Sequence, residues 1–395
     1  MVDLILEKIK TIAEMNKSYC PIPFKEIYVS SSGKYKLCCH AQEGEVSESD
    51  ALPFDYFFSE AIEDVRDRMM SGQEVKDCLK CTHHEKNGGY SYRMKAMKKW
   101  GHDVSEVRDV SLKLRINGSA CNLQCYMCHP YNSSSRRKEL REIWGNDYDL
   151  HFQQSNKVKF TSKPSSQKRN IWNDTIDNIN EYIHLIKEIH MTGGEPLQLP
   201  RHWEWVDRIP AEHAKNITLV YDSNITQLSF KNHHVLDLKE KFKKVHFGIS
   251  CDHIGEKLEH IRYPINYKEF EENLKFITSH FDTCINVTVG LLNIPDLLEI
   301  KQYYEDMLKD CKYSTAIHCD SVISGPRHLS IRNLPEHLKT YYIKKYKQFP
   351  MVVSELSLPK HSDDWYDRMS EYMDKLYESR GLKWREVFDA ESYRS

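Results

Sequence analysis

Between residues 107 and 335, short apolar strand candidates alternate with longer stretches of helical pattern. The strand candidates are Leu112–Ile116, Glu188–Thr192, Thr218–Tyr221, Val245–Ser250, Ile285–Gly290 and Ala316–Cys319. Helical stretches such as Trp172–Ile186 and Tyr267–Ser279 lie between them. Strands that alternate with helices form parallel sheets with right-handed crossovers. Six such units predict an α/β fold, specifically a partial (β/α)6 TIM-like barrel.

Two segments of different pattern flank this alternating region. Their predicted elements are an amphipathic helix over 1–15, a hairpin of Glu26–Val29 and Tyr35–Cys39, and helices at Ala61–Met70, Tyr90–Trp100, Glu336–Phe349 and Asp363–Arg380. We therefore expect a small N-terminal domain over 1–103, the barrel core over 104–335, and a C-terminal helical extension over 336–395 that packs on the barrel. The polar stretch Tyr148–Gln167 predicts a long excursion from the core, which is a candidate lid.

The composition of the 395-residue chain excludes several function classes. Its 56 Lys and Arg are balanced by 58 Asp and Glu, so we expect no nucleic-acid partner. No apolar run approaches the roughly 18 residues of a membrane span, so we expect no membrane partner. The 12 cysteines are clustered and the N-terminus does not resemble a signal peptide. These features predict metal binding in a reduced, cytoplasmic compartment rather than disulfides.

Cys121, Cys125 and Cys128 stand within eight residues, just past the first core strand. In parallel β/α folds the functional groups lie at the carboxyl ends of the strands. Three thiolates can hold three corners of a 4Fe–4S cubane and leave the fourth iron open to another ligand. A three-ligand zinc site or buried free thiols are the alternatives.

A second motif, Gly193-Gly194-Glu195-Pro196, follows the second core strand. Paired glycines let the backbone approach a ligand closely, and Glu195 can accept a hydrogen bond from an ammonium group. An ordinary turn between a strand and a helix is the alternative. The position at a strand end favours the functional interpretation.

Together, the three-cysteine loop and the Gly-Gly-Glu-Pro turn resemble the radical S-adenosylmethionine (SAM) enzymes. The resemblance covers about the first 335 residues. It implies that Cys121, Cys125 and Cys128 hold a 4Fe–4S cluster whose open iron binds SAM. An electron from a flavodoxin- or ferredoxin-like donor would then break the sulfonium bond, and the 5′-deoxyadenosyl radical would abstract a hydrogen atom from the substrate.

The resemblance also implies a set of SAM contacts at the strand ends. Met127 and Asn293 would lie near the adenine, and Gly193, Gly194 and Glu195 near the amino group. The ribose and carboxylate contacts would come from Ser223, Asn224, Ser250, Asp252 and Arg262. Turn-forming, capping, packing or surface roles are the alternatives for these residues.

Four N-terminal cysteines, Cys20, Cys38, Cys78 and Cys81, resemble the auxiliary 4Fe–4S cluster site of twitch or SPASM-like domains. The resemblance includes Gly33, which lies shortly before the second cysteine. Here the segment precedes the core, whereas it usually follows it. Cys39 neighbours Cys38, so either is a possible ligand, and the family pattern favours Cys38. A structural zinc site suits the same four residues.

The resemblance favours an enzyme that activates a C–H bond of a peptide or small organic substrate. Its auxiliary cluster would transfer electrons or handle the substrate. A small-molecule or nucleoside-type dehydrogenase or epimerase is one alternative, and a zinc-binding interaction protein is another. Cys251 is a candidate hydrogen-atom donor, but strand alternation should turn it away from the face of Ser250 and Asp252.

Overall fold

The computed structural model describes residues 18–29, 34–41, 46, 51–86, 89–101, 106–115, 119–152, 171–313, 315–389 and 393. Three features considered above lie outside these ranges. They are the predicted helix over 1–15, the position of Gly33, and residues 153–167 of the predicted excursion.

An eight-stranded sheet lies at the centre of the described structure. Its strands are β1 (Glu26–Val29), β2 (Tyr35–Lys36), β3 (Val110–Leu114), β4 (Ile186–Met191), β5 (Thr218–Ser223), β8 (Lys244–Ser250), β9 (Asp282–Val289) and β10 (Thr315–Val322). Their order is β2-β1-β3-β4-β5-β8-β9-β10, and all pairs are parallel except β1 with β2. A separate hairpin pairs β6 (Ser229–Phe230) with β7 (His233–His234).

Helices occupy the connections between the strands and both flanking segments. In the described residues they are α1 (Ile22–Lys25), α2 (Pro53–Phe57), α3 (Glu60–Met70), α4 (Leu79–Lys86), α5 (Tyr92–Trp100), α6 (Ser134–Trp144), α7 (Ile171–Glu181), α8 (Pro200–Arg208), α9 (Ala211–Ala214), α10 (Val235–Lys241), α11 (Gly255–Ile261), α12 (Tyr267–His280), α13 (Leu297–Leu308), α14 (Glu336–Lys345), α15 (Pro350–Leu356), α16 (Trp365–Ser379) and α17 (Trp384–Val387).

The two faces of the sheet differ in polarity, because successive side chains of a strand point to opposite sides. One face is apolar: Ile189, Leu219 and Phe247 are fully buried in the main hydrophobic core. The opposite face carries half-buried polar side chains; we call it the polar face and define it by Lys113, His190, His246, Cys284 and Asn286. Its neighbours in register include Lys113 with His190.

The mostly parallel sheet is consistent with the predicted TIM-like fold. All six predicted core strands are present, with bounds that differ by a few residues. The predicted helix Trp172–Ile186 was wrong at its end: α7 stops at Glu181, because Ile186 already begins β4. Similarly, the predicted helix Glu336–Phe349 stops at Lys345, and a new helix begins at Pro350.

The N-terminal segment extends the core sheet, which the sequence did not predict. Strand β1 pairs in parallel with β3, with Ile27 opposite Leu112. The hairpin partner β2 is shorter than the predicted Tyr35–Cys39, because Cys38 and Cys39 belong to a turn. The proposed domain boundary near residue 103 stays a prediction.

We expect Phe247→Ala to destabilise the fold by about 3–5 kcal/mol, because it leaves a cavity in a closely packed core. Phe247 is fully buried, stacked on Tyr221 and in edge contact with Phe281, both at centroid distances of 5.1 Å. Urea unfolding would measure the loss. The matched truncation Phe58→Ala, at a side chain that is 40% exposed, should cost about 1 kcal/mol or less. Equal losses would contradict this packing.

Candidate functional site

The three-cysteine loop follows β3 and has no regular secondary structure of its own. Its backbone is held from the segment after α11, where Gln124 N donates to Tyr263 O at 2.6 Å. At the start of α6, the hydroxyl of Ser133 donates to Leu123 O at 2.8 Å, and that of Ser135 donates to Cys121 O at 2.5 Å. The loop is therefore held by side chains and backbone groups from other elements.

The three thiols of this loop lie within electrostatic reach of one another. Burial, followed by the neighbouring Cys125 thiol, raises the pKa of Cys128 to about 12 and also raises that of Cys121 above its ordinary value. Burial also raises the pKa of Cys125, while Arg262 lowers it. Arg262 Nη1 lies 3.9 Å from Cys125 Sγ, and Asn224 Nδ2 lies 3.7 Å from Cys121 Sγ.

This donor set fits an iron–sulfur group, because cations and N–H donors beside thiols favour the thiolate that binds iron. In the residues that the structure describes, no three His, Cys, Asp or Glu side chains are arranged to hold a single metal ion.

The Gly-Gly-Glu-Pro turn is hydrogen-bonded to both ends of the cysteine loop. Glu195 N donates to Ala120 O at 2.8 Å, and Gly194 N donates to Asn132 O at 3.0 Å. Gly193 and Gly194 have φ values of 85° and 63°, which side-chain-bearing residues rarely adopt. Both glycines remain half-buried. The two sequence motifs thus form one structural unit.

The carboxylate of Glu195 contacts the chain itself. It is buried and accepts hydrogen bonds from Ser223 Oγ at 2.8 Å, from Asn224 N at 2.7 Å and from Leu197 N at 3.3 Å. Burial raises the pKa of Glu195 to about 7, although these donors lower it. The structure therefore brings Glu195, Ser223 and Asn224 together and uses the Glu195 carboxylate to join the ends of β4 and β5.

Asp252, Arg262 and Asn293 form a second buried group, next to Cys125. Asp252 is fully buried and its carboxylate lies 2.8 Å from Arg262 Nη2. Its other oxygen accepts from Thr288 N at 2.7 Å. Asn293 Nδ2 donates to Asp252 O at 2.9 Å. These three residues, which were predicted to contact the ligand, thus contact one another. Arg262 is a buried residue rather than a surface one.

The remaining predicted contacts differ in exposure. Ser250 and Met127 are partly exposed to solvent, and Met127 packs against the main core. Cys251 is fully buried and its thiol donates to Tyr304 Oη at 3.1 Å. This contact places the Cys251 thiol against α13, as strand alternation predicts.

The four N-terminal cysteines also lie close enough together for their charges to affect pKa values within the group. Burial raises the pKa of Cys20, and Cys78 and then Cys81 raise it further. Burial raises the pKa of Cys38, with additional contributions from Cys39, Cys20 and Cys81. For Cys39, by contrast, the largest influences after burial are Lys113 and Glu26 rather than Cys20 or Cys81. Of the adjacent pair, Cys38 is therefore the residue that has Cys20 and Cys81 among the largest influences on its pKa.

Sequence reasoning missed a buried ion network behind the cysteine loop. Glu139 of α6 pairs with Arg136 on the same helix and with Arg380 Nε at 2.7 Å, just past the end of α16. Arg136 is fully buried, and its Nη2 donates to Tyr126 O at 3.0 Å. Arg380 donates to Gln124 O.

The C-terminal extension thus contacts the cysteine loop directly. Tyr372 Oη also donates to Tyr126 O, at 3.0 Å. The spacing of Arg136 and Glu139, three residues apart on a helix, is the one local signal of this network. Arg380 lies about 250 residues beyond the loop, and no motif marks its partner.

Comparison with known proteins gives one informative match. Residues 118–304 match the family model described as the radical SAM superfamily. No curated protein matches the chain. A solved structure described as "TYW1 with a lysine-pyruvate adduct bound" is similar over 61% of this chain and 72% of that chain, at 14% identity and a TM-score of 0.30. At that TM-score the similarity supports no argument about this chain.

One further observation concerns membranes. Among the helices of the described ranges, none combines the length and the apolar character that crossing a bilayer requires.

We expect Glu139→Gln to destabilise the protein by about 3–5 kcal/mol, because it leaves the buried Arg136 and Arg380 charges without a carboxylate. Urea unfolding would measure the loss. Glu142 offers a matched control on the same helix: it is 67% exposed and lies 3.9 Å from Lys138, so Glu142→Gln should change stability by about 0.5 kcal/mol or less. A loss in Glu139→Gln no larger than the control's would contradict the network.

Proposed function

Because residues 118–304 carry a radical SAM superfamily domain, we propose that the chain is an enzyme that cleaves SAM reductively and abstracts a hydrogen atom from a peptide or small organic substrate. The observation that carries the proposal is the group of three mutually coupled thiols, Cys121, Cys125 and Cys128, beside the cation of Arg262. When bound, the 4Fe–4S cluster and SAM would supply the 5′-deoxyadenosyl radical.

Some of the chain's own residues bind the cluster or SAM, and others hold those residues in position. Cys121, Cys125 and Cys128 hold the cluster. Their thiolates are stabilised by the N–H donors of Asn224 and Arg262.

We assign SAM contact to the predicted residues that keep exposed surface, namely Met127, Gly193, Gly194 and Ser250. The buried residues make hydrogen bonds or ion pairs within the chain and position the first set; they are Glu195, Ser223, Asn224, Asp252, Arg262 and Asn293.

We further propose that Cys20, Cys38, Cys78 and Cys81 hold an auxiliary 4Fe–4S cluster that transfers electrons or handles the substrate. Their mutual coupling supports this assignment. All 12 cysteines of the chain are free thiols, which supports a reducing, cytoplasmic location. The reaction also requires an external electron donor of the flavodoxin or ferredoxin class.

A second candidate, a small-molecule or nucleoside-type dehydrogenase or epimerase, is favoured by the polar face of the sheet. A cavity of about 480 Å³ lies there, between the sheet and α5. This volume is in the range of small-ligand pockets. A zinc-binding interaction protein remains the alternative from another class, and metal analysis separates it from both enzymes.

Replacing Cys121, Cys125 and Cys128 together by Ala should remove about half of the iron and all SAM cleavage, because one of two cubanes is lost. Iron and sulfide would be measured after anaerobic purification, and 5′-deoxyadenosine after reduction with dithionite. Cys311→Ala, which removes a half-buried thiol elsewhere, should keep both. Continued deoxyadenosine release by the triple variant would contradict the proposal, and zinc without sulfide in the wild type would favour the interaction protein.

Replacing Cys78 and Cys81 by Ala should lower the iron content by about half while leaving SAM cleavage measurable, because the loop at 121–128 is untouched. The control is Cys39→Ala, which should keep all of the iron, since the largest influences on the pKa of Cys39 after burial are Lys113 and Glu26 rather than Cys20 and Cys81. Full iron content in the double variant would exclude the auxiliary site, and iron loss in Cys39→Ala would reassign its ligand.

A further inference from the structure

The cavity on the polar face has an unusual pair of cations at its edge nearest the cysteine loop. Lys113 of β3 lines the cavity, and Arg115 follows two residues later, so strand alternation places it on the same side. A Cβ built on Gly193 would lie 3.3 Å from Arg115 Cγ. Arg115 therefore lies between the cavity and the Gly-Gly-Glu-Pro turn.

Neither cation has an ion-pair partner within 4 Å among the residues that the structure describes. The closest hydrogen-bond contact of Lys113 Nζ is Tyr92 Oη, at 3.5 Å. Arg115 Nη1 lies 3.4 Å from Asn132 Oδ1, and its buried Nε makes no hydrogen bond to the described chain. Both side chains therefore keep N–H donors that hydrogen bonds to the described residues do not fully satisfy.

The other charges at the cavity are already paired. Lys99 lies 2.7 Å from Glu188, Lys244 lies 3.0 Å from Asp282, and His190 lies 3.1 Å from Asp222. What remains is the two lining cations Lys95 and Lys113, with Arg115 next to them, against two carboxylates that have no Lys or Arg partner within 4 Å in the described part of the chain, Glu26 and Asp222. Burial raises the pKa of Glu26 above its ordinary value. The cavity thus has a surplus of positive charge.

Lys113 keeps its proton in this environment. Burial alone would lower the pKa of its amine, but Cys39, Glu26 and Asp222 raise it above its ordinary value. The group is therefore an ammonium, which attracts anions, rather than a free amine, which would act as a nucleophile.

We propose that this cavity binds a small organic molecule with a carboxylate or phosphate group, held by Lys113 and Arg115, and that this molecule is the substrate. The inference rests on the proposed function for its reaction, but the binding site rests on the cavity and its charges. Arg115 packs against the turn that is hydrogen-bonded to the cysteine loop, so an anion held by Arg115 lies at the edge of the cavity nearest the proposed chemistry. The opposite end of the cavity is lined by the first residues of three strands, Glu26, Thr218 and Lys244. The volume of about 480 Å³ suits a metabolite-sized molecule.

The test uses the full-length, cluster-loaded protein with inorganic phosphate and succinate as separate probes, measured by titration calorimetry at low ionic strength. We expect saturable binding of at least one probe. Lys113→Met and Arg115→Gln should each weaken it by about tenfold or more, because each removes a charge-assisted hydrogen bond. Lys98→Met, on the exposed side of α5, should bind as the wild type does.

The relative affinities identify the anionic group: tighter phosphate indicates a phosphate ester, and tighter succinate indicates a carboxylate. Saturable binding of neither probe, or equal affinity in the wild type and both variants, would overturn the inference. Melting temperatures show whether each variant is folded, and the two variants test the site independently.

Iron content and deoxyadenosine release are measured on the same preparations. Iron-loaded, SAM-cleaving protein without anion binding refutes this inference alone. Anion binding without iron refutes the proposed function, and with it the substrate assignment, but keeps the anion site.

Discussion

The loop that carries Cys121, Cys125 and Cys128 has no helix or strand of its own, so its conformation depends on hydrogen bonds from elsewhere. Two carbonyls, those of Gln124 and Tyr126, accept from Arg380 and Arg136. Both guanidinium groups are held by the single carboxylate of Glu139. Because a buried charge without its partner is costly, this carboxylate joins two distant helices and the loop into one unit.

The predicted cofactor contacts show a related organisation. The carboxylate of Glu195 is hydrogen-bonded at the ends of neighbouring strands, and the carboxylate of Asp252 forms an ion pair with Arg262. Such satisfied polar groups are rigid, since each partner would be left unpaired by movement. The backbone of the turn and the partly exposed Ser250 are then presented from a fixed frame, which is how a site keeps its geometry before a ligand arrives.

Local patterns explain what could be predicted. Strand alternation and helical period located all six core strands. The glycine pair at 193 and 194 was predicted to allow a close backbone approach, and the structure gives both residues positive φ. Contacts between distant segments left no local pattern. The pairing of β1 with β3 and the partnership of Glu139 with Arg380 join residues about 80 and 240 positions apart. The end of one helix was also predicted wrongly where a strand follows within a few residues: α7 ends at Glu181 and β4 begins at Ile186.

The parallel pairing of Ile27 with Leu112 has a consequence for dissecting the protein. Strand β3 lies between β1 and β4, so it is an interior strand only while the first hundred residues are present. Expressing the core alone would bare the backbone N–H and C=O groups of Val110–Leu114 along a newly created edge. The exposed backbone groups of this apolar strand would then pair with strands of other chains. The N-terminal segment and the core are best studied as one polypeptide, because separation turns an interior strand into an exposed edge that favours aggregation.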